Sequence, residues 1–209
     1  MLDAEGKECG ATDVLAKRVD ARGAINAGYF NMRELTPVTD LAIDGKVYGR
    51  TTPGEEFRVD GMVVIQDKKG HKISIEKRDT STLDGIIATS HAVLSCGPLL
   101  LKDNAVIPGP DNGGFATGTH NRSVIGKDAD GNIWLIAVDG RFKGICTGMS
   151  IGDLTKLCQG LGLVDALNLD GGGSTQLWEL NQGTLNHPSD NRRWDREGGR
   201  KVPNIIYFR

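Results

Sequence analysis

The chain has 209 residues, 25 Lys and Arg against 27 Asp and Glu, a net charge of −2 and a hydrophobic share of 38%. That is enough apolar material for a core, and the balanced charge argues against nucleic acid or an acidic membrane as partner. No apolar run reaches the roughly 20 residues of a membrane helix, and residues 1–5 lack the basic-then-apolar order of a signal peptide. The location expected from this is the cytoplasm or a virion, or else the chain is a fragment of a longer secreted protein.

Thr12 is placed to cap a helix over residues 13–21, with Val14, Leu15, Arg18 and Val19 at helical spacing and Gly23 as its stop. Residues 24–30 follow as a strand entering a loop. Asp44-Gly45, within 41–47, signals a hairpin. The runs 61–65 and 72–75 flank Lys68-Lys69-Gly70 as a second hairpin. Residues 85–94 read as strand-rich and 98–101 as a short apolar strand. The segment 103–119 holds Pro108, Pro110, Gly113, Gly114 and Gly118 and reads as a loop long enough to have a job.

Residues 122–126 and 133–138 pair across 128–132. That turn resembles half a calcium loop but lacks the distal glutamate, so a hairpin is the reading. Ser150 caps a second helix over 151–161, with Leu154, Leu157, Cys158 and Leu161 on one face, and Gly162 ends it. A strand then leads to Asp170 and 175–180 return. Residues 186–201 read as an exposed polar and basic loop, and 202–208 as a closing strand. Two main helices among about ten strands, in no βαβ order, predict a single α+β domain over 1–209 with a mixed, largely antiparallel sheet. Its first strand is expected to be missing before residue 11.

The four cysteines (9, 96, 146, 158) show no CxxC spacing, and His71, His91, His120 and His187 complete no zinc pattern. Reduced thiols are expected, with Cys96 and Cys158 as small core residues.

Residues 164–178 are the most informative stretch. An apolar run ends in Asp170, then come Gly171, Gly172, Gly173, Ser174 and Thr175. Three glycines after a carboxylate exceed what a turn needs, and their use is an array of backbone N–H groups facing an anion. The run lacks the lysine of a P-loop and the glycine spacing of dinucleotide folds. Three other constellations fall at predicted strand ends: Asn26-Ala27-Gly28-Tyr29-Phe30, His120-Asn121-Arg122-Ser123 and Asp139-Gly140-Arg141. Singly they read as strand ends, a solvated arginine and a turn. Together they describe an anion site: Arg122 and Arg141 for a phosphate, the glycine amides as further donors, Asp139 and Asp170 as paired carboxylates, and Asn26 and Asn168 for sugar hydroxyls.

These motifs resemble the phosphodiester glycosidases, in a bacterial or phage form. Asn168 to Thr175 is the family's most specific mark. Asn26-Ala27-Gly28-Tyr29-Phe30 is similar to its Asn-Gly-Gly-Phe-Phe, with Ala27 for a glycine. Gly97-Pro98-Leu99-Leu100, Arg122-Ser123-Val124-Ile125-Gly126, Asp139-Gly140-Arg141, Gly148-Met149-Ser150 and Val202-Pro203-Asn204 follow in the family's order. The resemblance implies hydrolysis of the glycosidic C–O bond of a sugar-1-phosphodiester, an N-acetylglucosamine-1-phosphodiester being the type, with release of free sugar and a phosphate monoester. It implies Asp170, ahead of Asp139, as the working carboxylate. Gly28 and the loop from Gly171 to Thr175 then bind substrate, and Ser174 and Thr175 orient Asp170. No cofactor is implied, although two aspartates suit Mg²⁺ or Ca²⁺ in a phosphodiesterase that cuts P–O instead. A different class is a non-catalytic carbohydrate or cell-wall binding module on a phage or surface particle. The oligomeric state is left open.

Overall fold

The computed structural model describes residues 9–109 and 113–209; the N-terminal residues read above for a signal peptide, and Pro110, lie outside the described residues. Helix α1 (Thr12–Arg18) has Ala11, not Thr12, as its N-cap, and no side chain of its own caps it. The Thr12 N–H instead donates to Gln176 Oε1 at 2.8 Å, so the cap comes from a distant part of the chain. Gly23 does not stop the helix. It opens strand β1 (Gly23–Asn26), where its bare Cα lets the Phe208 ring lie against the backbone.

Strands β2 (Leu41–Ile43) and β3 (Lys46–Gly49) form the expected hairpin, with Asp44 and Gly45 both at positive φ, 50° and 75°. β4 (Gly61–Ile65) and β5 (Ile73–Lys77) form the second. Residues 85–94 are not mainly strand. Helix α2 (Leu83–Thr89) precedes β6 (Ala92–Cys96), because Leu83 and Ile87 stand four apart and pack on Met62, Val64 and Val93. After β7 (Leu99–Lys102), part of the expected loop is ordered as β8 (Ala105–Val106) and α3 (Gly113–Thr117).

β9 (Arg122–Asp128) and β10 (Ile133–Val138) pair as expected. Asp128 closes their turn by accepting from the Asp130 and Asn132 amides, Asn132 Nδ2 and Trp134 Nε1. Helix α4 (Ile151–Gly160) is capped by Ser150 Oγ, which accepts from Asp153 N at 3.1 Å; Leu161, expected on its buried face, is 38% exposed. β11 (Leu163–Asn168), β12 (Leu177–Glu179), β13 (Gly183–Thr184) and β14 (Ile205–Phe208) complete the described elements. The class is α+β, with four helices rather than two and fourteen strands rather than about ten among the described residues.

Among the described residues every strand pairing is antiparallel, in three sheets ordered β13-β12-β1-β14, β10-β9-β11-β7-β8 and β3-β2-β6-β4-β5. Alternation along the strands explains how they meet. Ile25, Leu41, Val63, Leu94, Leu99, Ile125 and Leu167 point into one shared core. Their neighbours face outward, where each sheet is backed by a helix: Ala24 and Ile205 by Leu15 and Ala16 of α1, Met62 and Val93 by α2, Val124 and Ala166 by Leu154 and Cys158 of α4. Both faces of the central strands β1, β4, β7 and β11 are covered, so these read as short continuous apolar runs. Cys96 and Cys158 are free and buried, and burial pushes the Cys158 thiol up to about 11.

Candidate active site

The four motif-bearing strand ends converge. Asn26 ends β1, Arg122 opens β9, Asp139 follows β10 and Asn168 ends β11. The Leu169 N–H donates to Ser123 O at 2.8 Å and the Asp170 N–H to Ala27 O at 2.9 Å, which ties two sheets together at this point. Asn26 is fully buried and its amide is used inside the protein. Its Nδ2 donates to the Asp170 carbonyl at 2.6 Å, and its Oδ1 accepts from Ser123 Oγ at 2.7 Å and from the Gln176 N–H at 3.2 Å. Ser123 Oγ also meets Thr175 Oγ1 at 3.2 Å. Asn26 and Thr175 therefore hold the loop and do not face a sugar. Gly28 is likewise a packing position: its N–H donates to Asn204 Oδ1 at 2.7 Å, and a Cβ there would lie 2.8 Å from Leu94.

A cleft of about 560 Å³ opens over this junction, lined by Asp170, Gly171, Gly172, Gly173, Asn168, Asn121, Arg122 and Arg141 together with Tyr29, Glu55, Arg58, Phe115, His120 and Arg200. Asp170 lies on its floor. Enclosure by protein pushes its carboxyl up to about 6, against the opposing pull of the Ser174 hydroxyl, Arg200, the Gly171 N–H and Arg141. The Ser174 hydroxyl is buried close by, without a well-aligned hydrogen bond to any group.

The glycines do not form the expected row of three open N–H donors. The Gly171 N–H is directed at the Asp170 carboxylate at 2.9 Å and the Gly172 N–H at Asn121 O at 2.9 Å, so Gly173 alone lacks such a partner among the described residues. The three residues are bare for another reason. A Cβ on Gly171 would stand 2.7 Å from Asn121 O, and one on Gly172, which has φ +60°, would stand 2.6 Å from Arg141 Nη2. One on Gly173 would strike Arg200 and Asp190. The loop is stripped so that two guanidiniums can lie on its backbone.

Arg122 is 2% exposed. Its Nε donates to Met149 O at 3.0 Å and its Nη2 to Phe115 O and Gly118 O, and the guanidinium lies 5.4 Å from the Phe115 ring centre. None of these partners is a carboxylate, and burial and Arg141 hold its pKa below the usual arginine value. Arg141 sits nearby at φ 64° and also makes no ion pair among the described residues. Arg122 is thus a cation buried without a counter-ion, which is costly unless an anion joins it, while Arg141 is exposed beside it. Unpartnered buried polar atoms sit in the same lining: Asn168 Oδ1, Asn121 Nδ2 and His120 Nδ1. Asn168 Nδ2 is directed at Gly97 O, Leu169 O and Tyr29 Oη, which leaves its Oδ1 aimed away from them.

Asp139 does not join Asp170 in the cleft. Its Oδ2 contacts His187 Nδ1 at 2.7 Å, and its Oδ1 accepts from the His187 N–H at 2.7 Å and Asn186 Nδ2 at 3.4 Å. The paired-carboxylate expectation fails here because Asp139 anchors the segment 186–201. That segment is not a simple exposed loop either: Asn186, Pro188 and Ser189 are buried, and Ser189 Oγ donates to Asn121 Oδ1 at 3.1 Å. It delivers Arg200, paired with Asp190 at 2.5 Å, to the cleft. Arg200 was hidden within a basic run, and Glu55, paired with Arg58 at 3.2 Å, had no motif around it. No group of three or more His, Cys, Asp or Glu side chains is placed to hold a metal ion among the described residues. No helix among them is long and apolar enough to cross a membrane.

No curated protein matches the chain by sequence. Among solved structures it is similar to the zebrafish N-acetylglucosamine-1-phosphodiester alpha-N-acetylglucosaminidase catalytic domain, auto-inhibited by its pro-peptide. The TM-score is 0.75 at 20% identity, covering 98% of this chain and 68% of that one. A protein from Burkholderia pseudomallei matches with TM-score 0.70 at 15% identity, covering 97% of this chain and 68% of that one. A hypothetical protein from Synechocystis matches with TM-score 0.59 at 20% identity, covering 85% of this chain and 51% of that one. These likenesses speak for the fold. The family assignment rests on the phosphodiester glycosidase family, which matches residues 20–209, and the chain belongs to it.

Proposed function

We propose that the protein hydrolyses the glycosidic C–O bond of a sugar-1-phosphodiester, with an N-acetylglucosamine-1-phosphodiester as the leading substrate. The observation that carries this reading is a carboxyl group raised to about 6 on the floor of a cleft whose walls hold the counter-ion-free guanidiniums of Arg122 and Arg141. At neutral pH Asp170 is largely ionised and close enough to neutral to take a proton. It removes a proton from a water whose oxygen bonds to the sugar C1. The C1–O bond breaks, and its electron pair leaves on the phosphate oxygen. The phosphate gains charge in that step, and Arg141, Arg122, Arg200 and the Gly173 N–H supply the field that favours it. Asn168 and Asn121 are buried in the cleft lining, where each keeps one polar atom unpartnered.

Hydrolysis in ¹⁸O-water tests the bond assignment. Label in the released sugar is expected; label in the phosphate would mean P–O cleavage and overturn the reading. Absence of turnover with sugar phosphates still bound would favour a binding module instead.

A further inference from the structure

The cleft does not end at Arg141 and Arg200. Both also line a second hollow of about 640 Å³, whose other walls include Lys143, Ile145, Asp190, Arg192 and Trp194. Four cations stand there against one carboxylate, and that carboxylate, Asp190, is taken by Arg200. Lys143 and Arg192 are exposed and make no ion pair among the described residues. This local excess opposes the chain's net charge of −2, so the hollow concentrates anions that the rest of the surface does not. One wall is aromatic. Trp194 is 44% exposed yet held in place, stacked on His187 at 3.7 Å between ring centres and 7° between planes, with Phe142 at 5.0 Å and 83°. His187 is in turn fixed by Asp139. An indole braced from behind and open in front is a stacking surface.

We propose that this hollow is the subsite for the group on the far side of the bridging phosphate, and that it takes a group carrying a second phosphate beside a ring, joined through an ester or an anhydride oxygen. The second phosphate meets Lys143 and Arg192, and the ring lies on Trp194. The inference rests on the reading of Arg141 and Arg200 as holders of the bridging phosphate. A phosphate held between two hollows directs one bridging oxygen toward Asp170 and the other toward Trp194. Nucleoside phosphates and sugar phosphates share this chemistry. Asp139 thereby becomes a positioning residue for the stacking surface.

The test is calorimetric titration at low salt with uridine 5′-monophosphate and glucose 6-phosphate, each against its neutral parent, uridine or glucose. At least one phosphorylated probe is expected to bind at least tenfold more tightly than its parent. That binding should weaken at least tenfold in Lys143→Ala/Arg192→Ala and in Trp194→Ala. Tighter binding of the nucleotide assigns the ring as a base, and the reverse assigns it as a sugar. Equal binding of charged and neutral probes, or no change in the Lys143→Ala/Arg192→Ala variant, overturns the proposal. Turnover separates it from the hydrolysis reading. For a nucleoside diphosphate sugar against the methyl phosphodiester of the same sugar, the ratio of kcat/KM should fall at least tenfold in that variant. Variant-sensitive binding without turnover of either compound would sink the hydrolysis and leave the subsite. Turnover of both at an unchanged ratio, with no probe binding, would do the opposite.

Discussion

The segments 168–175 and 186–201 meet at one cleft, the first continuing a central strand and the second following no regular element through most of its length. In the first, buried partners fix almost every backbone group: Asn26, Ala27, Asn121 and Ser123 each hold it. In the second, a few polar anchors suffice: Asp139 on His187, Asn121 on Ser189 and Asp190 on Arg200. The contrast divides the labour. On the proposed reading, the group that meets the reacting carbon is built into the sheet junction, where packing tolerates little displacement. On the same reading, groups that recognise the rest of a substrate sit on a segment outside the sheets, held by side-chain anchors.

Substitutions can break that comparison. The largest effect is expected for Asp170→Asn, which should lower kcat/KM about 10³-fold, measured by sugar release. The same variant should be no less stable than the parent at pH 8. Because the folded-state pKa of Asp170 is raised to about 6, its favourable contribution is present below the unfolded carboxyl value and is lost as pH rises through 6. The stability gap between variant and parent should therefore close toward pH 4 in thermal melts. Next comes Gly173→Ala, whose new methyl displaces Arg200. A loss near 10²-fold in kcat/KM with a normal melt is expected, and unchanged kinetics would remove Arg200 from the site. Smaller again, kcat/KM of the parent should fall about tenfold per pH unit below about 6, as Asp170 takes up its proton. The smallest is Asp139→Ala, with a loss of about tenfold or less. Hydrogen exchange should rise across 186–201 and stay slow across 168–175. Equal loosening of both segments would show that they are one unit.

The first segment was legible in the sequence because its signals are local: an apolar run, a carboxylate, then glycines. The hairpin at Asp44-Gly45 and the Ser150 cap were legible for the same reason. What the glycines were for was not. Bare backbone that presents N–H groups and bare backbone that admits a guanidinium look identical in one dimension, and only Arg141 and Arg200, distant in sequence, separate the two. The role of Asp139 was misread because pairing two carboxylates needs distances, and its partner His187 carried no motif. Helix α2 was missed because Gly85 and two isoleucines suggest a strand, whereas the decisive pair is Leu83 and Ile87 at a spacing of four. Arg200 lay in a polar stretch without periodicity, where no pattern announces burial.

One pairing also sets a timetable. β1 lies beside β14, with Gly23 opposite Phe208 and Asn26 opposite Ile205. Arg200 and Asn204, which reach the cleft and the Gly28 N–H, come late in the chain as well. During synthesis on the ribosome, Asn26 emerges long before these partners exist. A nascent chain halted before residue 200 therefore carries its carboxylate without its full set of cations, and one sheet without an edge. Closure over so long a stretch is slow, so the cleft should gain its full set of cations in one late step, when β14 pairs with β1.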